Sequence, residues 1–441
     1  MHERALLAAV AALVVLSGCS GGFAGPSADG TVGREAGYAT TDDLAVTEND
    51  GLNETERAAV VGRTMARVEA IRGLEFTENV SVRVISREQY REGGAFDGGE
   101  YDPWNEQVWE GAFLVGEDES VNAAFRSVYG SAVLGFYLDG EIVLVSDDPT
   151  PKVDTRVLAH ELMHALQDQQ LTLGSRTATQ DAGLAADGLI EGDANYVEAR
   201  YAARCGEQWD CLDQPRRGAS GRPPGFNDGV YRTIIQPYVV GPSFVDALRE
   251  RGGWEAVNDA YDRYPASTEQ VIHPERYPDE RPVELRVPDR SGDGWERFDR
   301  EPVGDTLGEA TVFAMFADSG QINATGPATY DHPLSDGWAG DRLVPYHRAG
   351  ATNSSGAYVW QSEWDTADDA REFADGYREL LARYGATGDG PVYVVPSGPY
   401  ADAFRVTRDG TTVTVVNAPT RSALEAVHGA ASRAATGATH E

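Results

Sequence analysis

Apolar positions along the chain alternate between helical and strand periods. Within residues 57–72, Val60, Val61, Met65, Val68 and Ile71 recur at helical spacing, and residues 80–85 alternate as a strand does. Residues 93–99 are glycine-rich and read as a loop. Two alternating runs, 133–138 and 141–146, flank Asp139-Gly140, which predicts a tight hairpin. Asp148-Pro149-Thr150-Pro151 then opens a helix expected to run to Leu173, with Thr150 as N-cap, Pro151 at the first helical position and Gly174 as C-cap. Leu158, Leu162 and Leu166 give that helix a buried stripe. Further helices are predicted over 183–204 and 241–260, the second carrying Phe244, Val245, Leu248 and Trp254.

The pattern changes after about residue 286, with 288–294 as a boundary. There it predicts a helix over 306–316, a strand over 358–363 and a helix over 366–384. A hairpin of 403–406 and 412–416, turned at Asp409-Gly410, and a closing helix over 422–434 complete a small α/β unit with no catalytic motif of its own. His332 and His347 lie in its loops without ligand spacing. The whole reads as α+β: a core of mixed sheet, edge hairpin, the helix after that hairpin and a helical second half over 51–285, and the smaller unit over 286–435.

The chemistry sits on the helix after the first hairpin. His160 and His164 stand at i and i+4, so both imidazoles can reach one ion, and Glu161 is rotated about 100° from the first histidine. A metal site needs a third ligand. Glu191 lies on the 183–204 helix, where Asp187, Asp193 and Glu198 compete with it; Glu191, Asn195 and Glu198 share one face. An edge strand just upstream could align an extended peptide over such a site.

Composition adds a setting. The 441 residues carry a net charge of −34, and Lys152 is the only lysine among 37 basic residues. Such acidity points to concentrated salt, where repulsion is screened, and speaks against nucleic-acid binding. An apolar run over residues 5–16 is too short to span a bilayer and suits a secretory signal. Residues 20–50 are small and polar, as in a disordered spacer. Cys205 and Cys211 remain as an even pair, read as a disulfide outside the cell or, less simply, as zinc ligands. Four Asn-x-Ser/Thr triplets start at Asn53, Asn79, Asn323 and Asn353 and add little.

Two resemblances sharpen this. Leu16-Ser17-Gly18-Cys19 resembles a lipobox, which implies cleavage before Cys19, lipid attachment to its thiol and the outer face of the membrane. His160-Glu-Leu-Met-His164-Ala-Leu-Gln-Asp-Gln, with Ile190-Glu-Gly-Asp-Ala194 downstream, resembles the gluzincin metallopeptidases. More closely it is similar to secreted or lipid-anchored proteins, haloarchaeal surface lipoproteins among them, with the likeness continuing through residues 267–277 and covering about 130–280. The resemblance implies a zincin-like core, Zn²⁺ held by His160, His164 and Glu191, Glu161 as general base, and a peptide or protein substrate. Many gluzincins have an acid where this chain has Asn195, so the outer partner of the histidines is open between Asn195, Asp193 and Asp187. His273 is the first candidate to stabilise the oxyanion, followed by Tyr277 and Arg276. Two other readings stay open: a lipid-anchored surface protein that uses the scaffold for binding with little or no catalysis, and a zinc hydrolase of a non-peptide bond.

Overall fold

A computed structural model describes residues 30–46, 50–92, 102–133, 135–138, 140–148, 150–173, 178–212, 222, 224–323, 330–350 and 356–429. Cys19, Gly174, Asn353 and residues 93–99 lie outside them. In chain order the elements are β1 (Arg34–Glu35), β2 (Tyr38–Ala39), α1 (Glu54–Arg72), β3 (Ser81–Ile85), α2 (Arg87–Glu92), α3 (Pro103–Gly111), α4 (Val121–Ala132), β4 (Gly135–Leu138), β5 (Glu141–Val145), α5 (Thr155–Gln170), α6 (Gln180–Arg204) and α7 (Asp228–Asp262). They continue with α8 (Thr268–Ile272), β6 (Trp295–Arg297), α9 (Gly308–Asp318), β7 (Trp338–Arg348), β8 (Ala357–Trp364), α10 (Ala367–Arg383), β9 (Thr387–Asp389), β10 (Val392–Val394), β11 (Ala403–Asp409), β12 (Thr412–Ala418) and α11 (Ala423–Val427). The protein is α+β. Contacts divide it into two units, one of residues 1–100, 122–281 and 325–330, the other of 101–121, 282–324 and 331–441.

The first unit places a small sheet beside a helical layer. Its strand order is β3-β5-β4, with β3 parallel to β5 and β4 antiparallel to it, so β4 lies at an edge. Leu158, Leu162 and Leu166 of α5 are buried with Val60, Met65 and Val68 of α1, Ile142 of β5 and Val197 of α6 in one core. Residues 30–46 are not the disordered spacer that their composition suggests. They form the β1–β2 hairpin against α1, and Glu69 of α1 accepts a hydrogen bond from the Gly33 N–H. Asn53 caps α1 in a reciprocal capping box with Glu56.

The start of α5 differs from the expectation. Thr150-Pro151 lies before the helix, and Asp154 is the N-cap, accepting from the Arg156 N–H. The chain stays extended through 151–153 because the Pro151 carbonyl accepts from the Leu52 N–H and Val153 enters the core. The helix ends at Gln170, with Leu171 as its C-cap.

The second unit is built on a seven-stranded antiparallel sheet ordered β6-β7-β8-β12-β11-β10-β9. The Asp409-Gly410 turn joins β11 to β12, and Thr366 caps α10 with a second capping box. β7, at 11 residues its longest strand, contains Pro345 and went unseen in the pattern. Residues 102–121 also belong to this unit, although they precede the metal motif in sequence. The closing helix is only Ala423–Val427 among the described residues.

Candidate metal centre

Helices α5 and α6 bring His160, His164 and Glu191 to one point. His160 Nε2 is 3.2 Å and His164 Nε2 is 3.3 Å from Glu191 Oε2, and the two imidazole nitrogens are 3.1 Å apart. A tetrahedral ion with bonds of about 2.0–2.1 Å puts neighbouring ligands about 3.3 Å apart. The three donor atoms therefore already outline one face of such a tetrahedron. All three side chains are largely buried. Two nitrogens and one oxygen fit the borderline preference of zinc.

Electrostatics agree with a site made for a cation. Burial disfavours a charged His160, but hydrogen bonds to Glu191 and Glu198 and the charges of Glu191 and Glu161 raise its pKa to about 10. Burial pushes the Glu191 carboxyl up, yet His164 and His160 together bring it far below the usual carboxylate range. One turn earlier, burial and the Glu191 charge raise Asp187 to about 8. Burial also raises Glu161, partly offset by the two histidines and by a hydrogen bond from the Tyr137 backbone of β4.

Outer contacts fix the ligands. His164 Nδ1 lies 2.8 Å from Gln167 Oε1, so the ring donates there and leaves Nε2 free. Gln167 Nε2 donates to the Ile190 carbonyl and the Tyr261 hydroxyl, and Tyr261 donates to Asp193, which pairs with buried Arg72 at 3.0 Å. Asp193 thus serves His164 at two removes. Glu198, a competitor for the third ligand, instead lies 3.6 Å from His160 Nδ1. Asn195 donates to the Tyr238 carbonyl on α7 and does not meet the histidines. Tyr238 stacks on His160, its centroid 6.1 Å away at an interplanar angle of 15°, and its hydroxyl bonds to Glu191.

Each remaining motif position has a structural reason. Asp168 accepts from the Tyr137 hydroxyl, while Gln169 and Gln170 tie the end of α5 to backbone groups of residues 75–78. Gly192 meets the backbone of Gly241 on α7, and a Cβ there would come within 2.5 Å of the Gly241 carbonyl. Ala194 is fully buried.

The 267–277 segment braces α6 from outside. Thr268 donates to Asp181, and Val271 packs against Gly188, one turn before Glu191. His273 ends α8 with Nδ1 4.0 Å from Glu275 and is not among the groups converging with His160, His164 and Glu191. Arg276 is held by Glu269 and Glu280, and the Tyr277 hydroxyl donates to the Arg263 carbonyl. Tyr238 and Gln167 have no role in the reading from sequence, and Glu198 figures there only as a competing third ligand. Helical spacing from Glu191 placed Glu198 on the right face; nothing in the pattern singled out Tyr238. Cys205 and Cys211 are joined, with S–S at 2.11 Å, which removes them as zinc ligands.

Residues 296–428 match the model of a domain of unknown function, DUF8575. Apart from residues 325–330 that match lies in the second unit, away in sequence from the histidine–glutamate cluster. No curated protein and no solved structure matches the chain. Among the described residues no helix is long and apolar enough to cross a membrane.

Proposed function

We propose that the first unit is a zinc-dependent metallopeptidase with a zincin-like core of the gluzincin type, acting on peptide or protein chains outside a cell in high salt and anchored there through Cys19. The observation that carries this reading is the 3.1–3.3 Å triangle of His160 Nε2, His164 Nε2 and Glu191 Oε2. Zinc bound there would supply a Lewis acid and lower the pKa of a water toward about 7.

The chain's own residues do the rest. Glu161, one position from His160 and outside the ligand triangle, takes the proton of the attacking water and returns it to the leaving amine. Its raised affinity for a proton suits that exchange. The edge of β4 offers strand pairing to an extended substrate beside Glu161, to whose carboxylate it already gives the Tyr137 N–H. Tyr238, already at the Glu191 carboxylate, is better placed than His273 to donate to the oxyanion.

Zinc content and cleavage of a peptide library, measured in concentrated salt, test this reading. Wild type is expected to hold one zinc and to cleave. Glu161→Gln should keep the metal and lose at least about a hundredfold in rate, the usual scale for a general base. A zinc-loaded wild type inert toward every peptide would favour the surface-binding reading, and undiminished turnover by Glu161→Gln would remove Glu161 from the chemistry.

A further inference from the structure

The second unit contains an acidic cleft that the peptidase reading does not use. Its volume is about 490 Å³, and Glu106, Gln107, Glu110, Glu117, Asp118 and Glu119 line it. No arginine or lysine does. Glu110, Glu117 and, from the residue before β11, Asp402 each bring one carboxylate oxygen to within 4.8 Å of the others. Glu110 is 5 % and Asp402 3 % exposed. Carboxylates are rarely buried so deeply without a cation or a shared proton.

Two amide side chains complete the cluster. Gln107 Nε2 donates to Glu110 at 2.6 Å, and Asn417 Nδ2 donates to Asp402 at 2.8 Å. Their carbonyl oxygens, Gln107 Oε1 and Asn417 Oδ1, are buried and accept no hydrogen bond. Gln107 is 7 % exposed and lines the cleft, and Asn417 is wholly buried. Gly356 lines it too, and a Cβ there would lie 2.3 Å from Gln107 Oε1. An unpartnered carbonyl oxygen beside two buried acids is costly in an apolar interior and useful next to a hard cation.

We propose that Glu110, Glu117 and Asp402, with the carbonyl oxygens of Gln107 and Asn417, form a calcium site. The donor set is all oxygen, which excludes a preference for zinc or copper. Oxygens on opposite sides of a calcium ion, at about 2.4 Å each, stand about 4.8 Å apart, so the three carboxylates can share one ion. Irregular placement on a helix, two loops and a strand suits calcium, which accepts six to eight ligands in flexible geometry, better than magnesium. Glu110 and Gln107 sit on α3, whereas Asp402 and Asn417 belong to the β11–β12 region. The ion would therefore fasten residues 102–121 to the sheet they join from far away in sequence. Burial raises the proton affinity of Glu110 and Asp402, whose carboxyls also bond to each other, so the alternative occupant is a proton.

Calcium titration of the full chain by calorimetry and thermal unfolding, at constant ionic strength and pH 7.5 with zinc retained, separates the two. One saturable calcium per chain and a rise of about 5 °C in the unfolding of the second unit are expected. Glu117→Gln, at an exposed position that leaves the fold intact, should weaken calcium at least about tenfold, as should Asp402→Asn; Asp368→Asn, an equal charge change on the exposed face of α10, should not. Absence of a calcium-dependent shift in wild type would overturn the site in favour of a shared proton. Equal weakening by all three variants would overturn it in favour of diffuse binding to an acidic surface. Neither result bears on Glu161 or the zinc content, so the peptidase reading stands or falls separately.

Discussion

A histidine offers a metal one nitrogen only if the other is held. For His164 the holder is Gln167, which is itself gripped by the Ile190 carbonyl and the Tyr261 hydroxyl. Replacing it (Gln167→Leu) should lower zinc affinity about 10–100-fold, measured by competition with a chelator, while α5 stays folded. Tyr261→Phe should give a smaller loss, because it frees Gln167 Nε2 and deprives Asp193 of a donor without touching His164. Equal affinity in both variants and wild type would detach this chain of hydrogen bonds from the metal. At this scale the sequence was readable where spacing encodes the chemistry. His160, His164 and Glu191 follow from helical periodicity and from the resemblance. Gln167 was hidden because a polar residue one turn beyond a ligand looks the same whether it supports a ring or faces water. Asn195 was misread for the opposite reason: it lies one turn from Glu191 on α6, but α7 passes there and takes its amide.

Between elements, the decisive contact is the crossing of α6 and α7 at Gly192 and Gly241. No side chain separates the two backbones, so Tyr238, one turn before Gly241, can lie flat against His160. Gly192→Ala should force the helices apart, destabilise the first unit by about 1–3 kcal/mol and reduce zinc occupancy with it. Unfolding curves and metal content of the same sample check both effects; an unchanged pair would mean that the crossing is slack. A second comparison concerns the start of α5. Asp154→Ala should cost about 1 kcal/mol, whereas Thr150→Ala removes no helix cap and should cost less. Local pattern favoured Thr150-Pro151 because threonine followed by proline is a common helix opening. Tertiary contacts decided otherwise, through the Leu52–Pro151 backbone bond and the burial of Val153. The same limit explains residues 30–46 and 102–121. Their short or polar stretches carry little periodicity, and only distant partners, α1 in one case and the second unit's sheet in the other, give them structure.

For the molecule as a whole, a net charge of −34 makes stability depend on what neutralises carboxylates. Three agents act at different places: the proposed metal ions in two clusters, protons on isolated buried acids, and bulk salt over the surface. Glu69 shows the second. Burial raises its pKa from 4.5 to about 7, assisted by Glu35 and Glu75 and opposed by the N–H groups of Phe76 and Gly33. Because the folded value exceeds the unfolded one, the native state keeps a proton that the unfolded chain has released between those pH values. Stability from this group is therefore present at about pH 5, declines as the pH rises toward 7, and is level above it. Glu69→Gln, which mimics the protonated form, should flatten the fall in unfolding temperature across that window while leaving the rest of the profile unchanged. Salt acts by a different route and is distinguishable by its range. Screening shortens from about 10 Å at 0.1 M to about 3 Å at 1 M, so repulsion among surface carboxylates fades over that interval. The unfolding temperature should accordingly climb with sodium chloride up to about 1 M, equally in wild type and in Glu69→Gln, since a buried acid is poorly screened. If the Glu69→Gln profile instead lost its salt dependence along with its pH slope, the acidity of the surface would not be what concentrated salt relieves.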